Sequence, residues 1–231
     1  MRDLINYLVF GLYPYVSLAV FLLGSWLRFA GEQHFTWSDS GPFLRRQQMT
    51  WGATLFHGGI LILFLGHFFG LLTPIRVFEA AGMSHSFKQW MAIVIGGTAG
   101  VAGLIGIVML LHRRLFDARI RASSSFGDIA ILLLIGVQLA LGLGTIVVAF
   151  VERVDGCATL NFMTWAQDIL TLRPVVAAAQ VANAPLIFKL HMINGMTIFL
   201  VLPFTRLVNL WSVPIGYLGR HGAMLRPGAA G

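Results

Sequence analysis

The chain has 231 residues, of which 57% are hydrophobic and only 11% charged, against about 25% charged in an ordinary soluble domain; this excludes a chain solvated mainly by water and points to one solvated by lipid. The net charge of +7 does not signal nucleic acid, because the basic residues sit almost wholly in short connections between apolar runs, where they read as topology signals. The single cysteine, Cys157, excludes an internal disulfide, and no CxxC or CxxCH spacing offers a thiolate cluster or a covalent haem attachment.

The first apolar run covers residues 4–26; it is longer than a signal-peptide core and lacks a small-residue cleavage site, so it reads as a spanning helix. Further runs follow at residues 50–72, 89–111, 127–150 and 185–210. Each exceeds the roughly 20 residues that a span requires. Backbone polar groups in lipid must be satisfied internally, which leaves helices as the solution for runs of this length. The fold class expected is all-α: an integral membrane bundle of five transmembrane helices, with residues 1–231 forming a single membrane domain. Between the fourth and fifth runs, residues 160–170 (LNFMTWAQDIL) are expected to form a short helix on the membrane surface. Glycines gather in the second, third and fourth runs, among them Gly58, Gly59, Gly96, Gly97, Gly100, Gly103, Gly106, Gly142 and Gly144. They suit small-residue helix packing, and on the histidine-bearing second run they also suit room for a porphyrin face.

Five spans put the termini on opposite sides and sort the basic residues into two groups. Arg28, Arg45, Arg46, Arg113, Arg114, Arg119, Arg121, Arg206, Arg220 and Arg226 fall on one side; Arg2, Arg76, Lys88, Arg153, Arg173 and Lys189 fall on the other. The excess makes the first side cytoplasmic. The N-terminus is therefore expected outside, and the basic segment HRRLFDARIR is expected as a cytoplasmic loop after the third span.

Three of the seven histidines, His57, His67 and His191, lie within spans, where a polar side chain is costly and usually functional. His67 stands five residues before the outer end of the second span and His191 six residues after the start of the fifth. Both are thus about 8 to 9 Å below the outer ends at 1.5 Å per residue. Two imidazoles at one level on two helices suit the two faces of a six-coordinate haem b. His57 lies about 15 Å further along the second span and about 80° around it, which makes a second level nearer the cytoplasm. Zinc is a weaker reading, because no Cys, Asp or Glu accompanies these histidines within the spans.

The segments LYPYVSLAVFLLGSWLR, LFHGGILILFLGHFFGLLTP, HRRLFDARIRASSSFGD and FKLHMINGMTIFLVLPFTRLVNLWSVP carry a resemblance along almost the whole chain. The sequence resembles the gamma subunit of respiratory nitrate reductase, a membrane dihaem cytochrome b. The resemblance implies quinol oxidation near the outer haem, proton release outside, and electron delivery to an iron-sulfur subunit and then a molybdenum catalytic subunit on the cytoplasmic side. It also implies a bacterial cytoplasmic (inner) membrane location and two haem b groups. It assigns His67 and His191 to the outer haem iron and His57 to the inner haem iron, and it places Lys88 and Gly66 in the quinol pocket. A cation at Lys88 suits a hydrogen bond to a quinone oxygen and favours the anionic quinol; the alternative is an interfacial lysine that snorkels to the surface. His85, three residues earlier, is in sequence reach to accept a quinol proton.

One departure stands out. Where the family places its fourth axial histidine, this chain has Asn209. An asparagine amide is a weak iron ligand, so the inner haem is expected to be retained on His57 with Asn209 near the iron and an altered ligation. In a continuous fifth helix, Asn209 would lie about five turns below His191 on the same face. A membrane haem anchor whose partner chemistry runs in another direction, such as nitrite oxidation, is the alternative function. The terminal substrate itself cannot be read from a chain without molybdenum or iron-sulfur motifs.

Overall fold

The computed structural model describes residues 1–31, 46–151 and 157–205. In chain order it contains α1 (Arg2–Tyr7), a π-helical segment (Leu8–Leu12), α2 (Tyr13–Gly31), α3 (Arg46–Leu72), α4 (Ile75–Ala80), α5 (His85–Phe116), α6 (Ala118–Ser123), α7 (Phe126–Val151), α8 (Cys157–Leu170), α9 (Pro174–Gln180), α10 (Leu186–Val201) and a 3₁₀ turn (Leu202–Phe204). Among the described residues all regular structure is helical. Five stretches are long and apolar enough to cross a membrane: Arg2–Arg28, Thr50–Leu72, Ser86–Phe116, Phe126–Phe150 and Leu186–Phe204.

The spanning helices neighbour one another in the order α3, α5, α7, α10, α2. Large apolar side chains such as Leu22, Leu23, Leu61, Val94, Val108 and Val147 point outward, as expected where lipid is the solvent and burying them gains little. The interior is correspondingly small. Phe56, Ile107, Ile131, Leu132, Ile135 and Leu139 close the α3, α5 and α7 crossing, and Phe10, Ala178, Val181 and Met196 form a second cluster beneath α9.

The chain between α7 and α10 folds over the ends of the bundle. Helix α8 contains the short helix expected over residues 160–170, begins earlier, and packs on α3. Its Gln167 Nε2 donates to the Leu71 and Thr73 carbonyls at 3.2 and 3.3 Å, covering acceptors that the end of α3 leaves without helical partners. Trp165 Nε1 donates to Phe10 O at 2.9 Å; Phe10 lies in the π-helical segment, where the wider turn frees backbone from the regular ladder. Helix α9 crosses the same segment so closely that a Cβ on Gly11 would stand 2.7 Å from Pro174 O. Leu172, at φ 60°, ends α8 in the left-handed region, and Arg173 N closes the turn on Asp168 O at 2.8 Å.

Two boundaries differ from the sequence expectation. Helix α5 runs on to Phe116, so Arg113 and Arg114 belong to its last turn rather than to a loop; cations there complement the negative end of the helix dipole. The fifth span does not continue as a helix to residue 210. Its α-helix stops at Val201, a 3₁₀ turn follows, and Thr205 is extended. Pro203 is the physical reason, since it has no N–H for the ladder and its ring crowds the preceding turn. Arg28 Nη1 holds this exit by donating to Pro203 O and Thr205 O at 3.1 and 3.0 Å.

Candidate haem site

On α3, His57 and His67 share one local arrangement. The Nδ1 of His57 lies 2.7 Å from Ala53 O and the Nδ1 of His67 lies 2.7 Å from Leu63 O, each one helical turn back. A carbonyl only accepts, so Nδ1 carries the proton and Nε2 keeps its lone pair. A metal-bound imidazole commonly ties off its second nitrogen in this way.

The structure brings His67 and His191 together. Their ring centroids are 6.1 Å apart with an interplanar angle of 38°. Two imidazoles on opposite faces of one metal ion have ring centres about 6 Å apart, taking a metal–nitrogen bond of roughly 2 Å and about 1 Å more from each nitrogen to its ring centre. His191 Nδ1 is buried without a hydrogen-bond partner, and its Nε2 lies 3.3 Å from Gln138 Nε2 on α7. An orphaned nitrogen is costly in a buried setting.

Space beside α3 is distributed unevenly. A Cβ added at Gly58, Gly66 or Gly70 would meet nothing within 4 Å, so packing between protein segments does not require glycine at these positions. The paired donors, with open space at Gly66, fit a haem held between α3 and α10. His57 sits apart from the other two histidines, its ring edge-to-face with Phe56 at 5.2 Å. Asn209 lies outside the described residues. The α-helix ends at Val201, so the five continuous helical turns from His191 that would set Asn209 on its face are interrupted. His112, in the last turns of α5, is exposed and packs on Phe116 of its own helix at 4.9 Å.

Lys88 lies in the first turns of α5, whose N-terminus is capped by Ser84 Oγ accepting from Phe87 N at 3.2 Å. Its side chain does not snorkel outward: it is 9% exposed. The ammonium donates to Gly70 O at 3.1 Å and to Met163 Sδ at 2.6 Å, and it lies 4.0 Å from the Phe78 ring centroid. A terminal α3 carbonyl, helix α8 and an aromatic face therefore enclose the ammonium, whose acceptor Gly70 is four residues after Gly66. Of the other charges near span ends, Asp128 accepts from Ser125 N at 3.0 Å while Ser125 Oγ accepts from Asp128 N at 3.2 Å, a helix cap. Lys189 donates to Ala182 O at 2.6 Å.

A family model for the nitrate reductase gamma subunit matches residues 6–227. The chain belongs to that family. It is 44% identical to the respiratory nitrate reductase 1 gamma chain of Escherichia coli strain K12 over 223 residues, covering 96% of this chain and 97% of that one. It is 41% identical to the respiratory nitrate reductase 2 gamma chain of the same strain, covering 98% and 99%. With the nitrate reductase gamma chain of Bacillus subtilis strain 168 the identity is 35%, covering 95% and 97%. As a gamma-family member, the chain is a membrane electron-transfer subunit of a respiratory nitrate reductase, part of an oxidoreductase complex.

Gln138, Met163 and Phe78 were not singled out in the sequence, yet they stand against His191 or Lys88, and Asn194 reaches His191 through Gln138. For Gln138 and Asn194 a signal was present, since amides inside apolar spans usually serve a helix contact. Met163 and Phe78 carried none, being apolar residues of connecting segments.

Proposed function

We propose that this chain takes electrons from quinol near its outer face and delivers them at its cytoplasmic face to an iron-sulfur subunit, which serves a molybdenum catalytic subunit. The observation that carries this reading is the pairing of His67 and His191 at 6.1 Å, beside the open flank at Gly66. His67 and His191 would hold the outer haem b, and His57 would hold the inner one with Asn209 near the iron. When bound, haem supplies one-electron chemistry that a polypeptide of this composition lacks.

The chain's own residues prepare that chemistry. The Leu63 and Ala53 carbonyls hold His67 and His57 with Nε2 free, and Gly66 leaves the helix flank clear for a flat ring. Lys88 presents an ammonium whose present partners are a carbonyl and a thioether. Exchanging the weak thioether acceptor for a quinol oxygen would strengthen its hydrogen bonding and favour the deprotonated quinol oxygen. The pocket lies at the end of α3 that α8 covers, so quinol protons would leave on that outer side. The chain would sit in the bacterial cytoplasmic membrane as a single domain, its N-terminus outside, with Arg113, Arg114 and the C-terminal tail facing the partner subunits.

Haem-to-chain stoichiometry by pyridine haemochrome tests the assignment in the isolated complex. Wild type is expected to carry two haems, one with an altered spectrum that changes in Asn209→His, and His67→Ala or His191→Ala is expected to lose one. An unchanged ratio in both alanine variants refutes the pairing; a single haem in wild type refutes the inner site. Protease cleavage of an N-terminal tag in inside-out vesicles would overturn the orientation.

A further inference from the structure

The outer histidine on α10 is set differently from those on α3. His191 has no carbonyl on its Nδ1. Its ring is instead approached from α7, and the contact belongs to a chain of three side chains. Asn194 Nδ2 donates to Leu134 O at 3.0 Å and to Gln138 Oε1 at 2.8 Å, and Gln138 Nε2 stands 3.3 Å from His191 Nε2.

The direction of this chain is fixed at its start. Leu134 O only accepts, so the Asn194 atom facing it is the amide nitrogen, and the same nitrogen faces the oxygen of Gln138. Gln138 therefore turns its own NH₂ toward His191, whose Nε2 must accept. The proton of a neutral His191 then resides on Nδ1. This is the same form that backbone carbonyls impose on His57 and His67, reached through two neighbouring helices instead of one. An iron would take the lone pair that the amide now uses, so Gln138 presets the ring and yields the nitrogen to a ligand.

Two glycines make the contact sterically possible. A Cβ on Gly142, one turn beyond Gln138 on α7, would stand 3.0 Å from His191 Cε1. A Cβ on Gly195 would stand 3.0 Å from Gln138 Nε2. The imidazole thus rests in a notch on α7, and the amide that orients it rests in a notch on α10.

We infer that α7 is a third wall of the outer haem site, with Gln138, locked by Asn194, and the Gly142 notch as positioning elements for His191. This rests on the reading of His191 as a ligand of that haem. Their role is positioning and not ligation.

The test uses the complex isolated from membranes and reads each haem separately by its low-spin electron paramagnetic resonance line and by haem content. Gly142→Ala is expected to shift the outer-haem line and leave the inner one in place. Gln138→Leu is expected to lower outer-haem occupancy severalfold in haem-limited cells, with recovery when haem is plentiful. Because Asn194 acts through Gln138, adding Asn194→Leu to Gln138→Leu is expected to change nothing more. Gly100→Ala is the packing control: its Cβ would press on the Leu143 side chain at 2.9 Å, on the same helix but away from the histidine. The inference is overturned if the outer haem of these variants matches wild type, if Gly100→Ala reproduces their effect, or if both haems or the whole chain are lost together. His191→Ala in the same series separates the two levels. Should it keep the outer signal, the ligand assignment itself fails; should it lose that signal while the α7 variants behave as wild type, only the positioning role fails.

Discussion

The glycines of helix α3 meet their surroundings in opposite ways. Toward α5, a Cβ on Gly59 would stand 2.6 Å from Ala99 O and 2.9 Å from Gly103 Cα, and one on Gly106 would stand 2.8 Å from Gly52 O and collide with the Phe56 backbone. Elsewhere along the same helix, Gly58, Gly66 and Gly70 face nothing within 4 Å. The first set lets two backbones touch, which is how helices associate where lipid removes the hydrophobic drive. The second set leaves space free of protein. Residue type is the same in both sets, so the difference lies in what occupies the space.

Substitutions at these glycines separate the two roles. The largest effect is expected from Gly106→Val, where backbone and not a movable side chain must give way. We expect a loss of about 1–3 kcal/mol, the range typical of overpacking, read as a large fall in detergent-stable chain in thermal denaturation. Wild-type stability in that variant would break the comparison. Gly66→Val is expected to leave the stability of the chain within about 0.5 kcal/mol, as for a substitution that touches no packed feature, while reducing the outer haem to half or less of its wild-type content. Equal loss of stability in the two valine variants would show that both sets of glycines serve packing. Smaller again is Lys88→Met, which keeps the stem and removes the charge. A hydrogen bond to a charged group contributes about 1.5–3 kcal/mol, so the KM for quinol should rise roughly tenfold or more with haem content unchanged. Steady-state kinetics with a quinol analogue measures it, and an unaltered KM would remove Lys88 from the pocket.

Much of the architecture was legible because a long apolar run in lipid has one common solution. The ends of α3 at Leu72 and of α10 at Leu186 fall where hydropathy puts them, and with them the levels of His67 and His191. Even the short helix over residues 160–170 was visible in its composition. The end of the last α-helix was less so: apolarity continues past Pro203 although the backbone ladder does not, and hydropathy registers side chains while a helix depends on N–H groups.

What the sequence by itself determined, then, is the class of protein, the five spans and the presence of histidines inside them, because solvation and helix rise act along the chain. The tertiary structure alone decided which glycines pack and which stand open, since that depends on the partner helix. It turned Lys88 inward by giving its ammonium the Gly70 carbonyl, the Met163 sulfur and the Phe78 ring. It also joined Gln138 to His191, 53 residues away, through a contact that exists only because Gly142 and Gly195 let α7 and α10 approach. Side chains on separate helices meet by packing geometry, and no local periodicity records it.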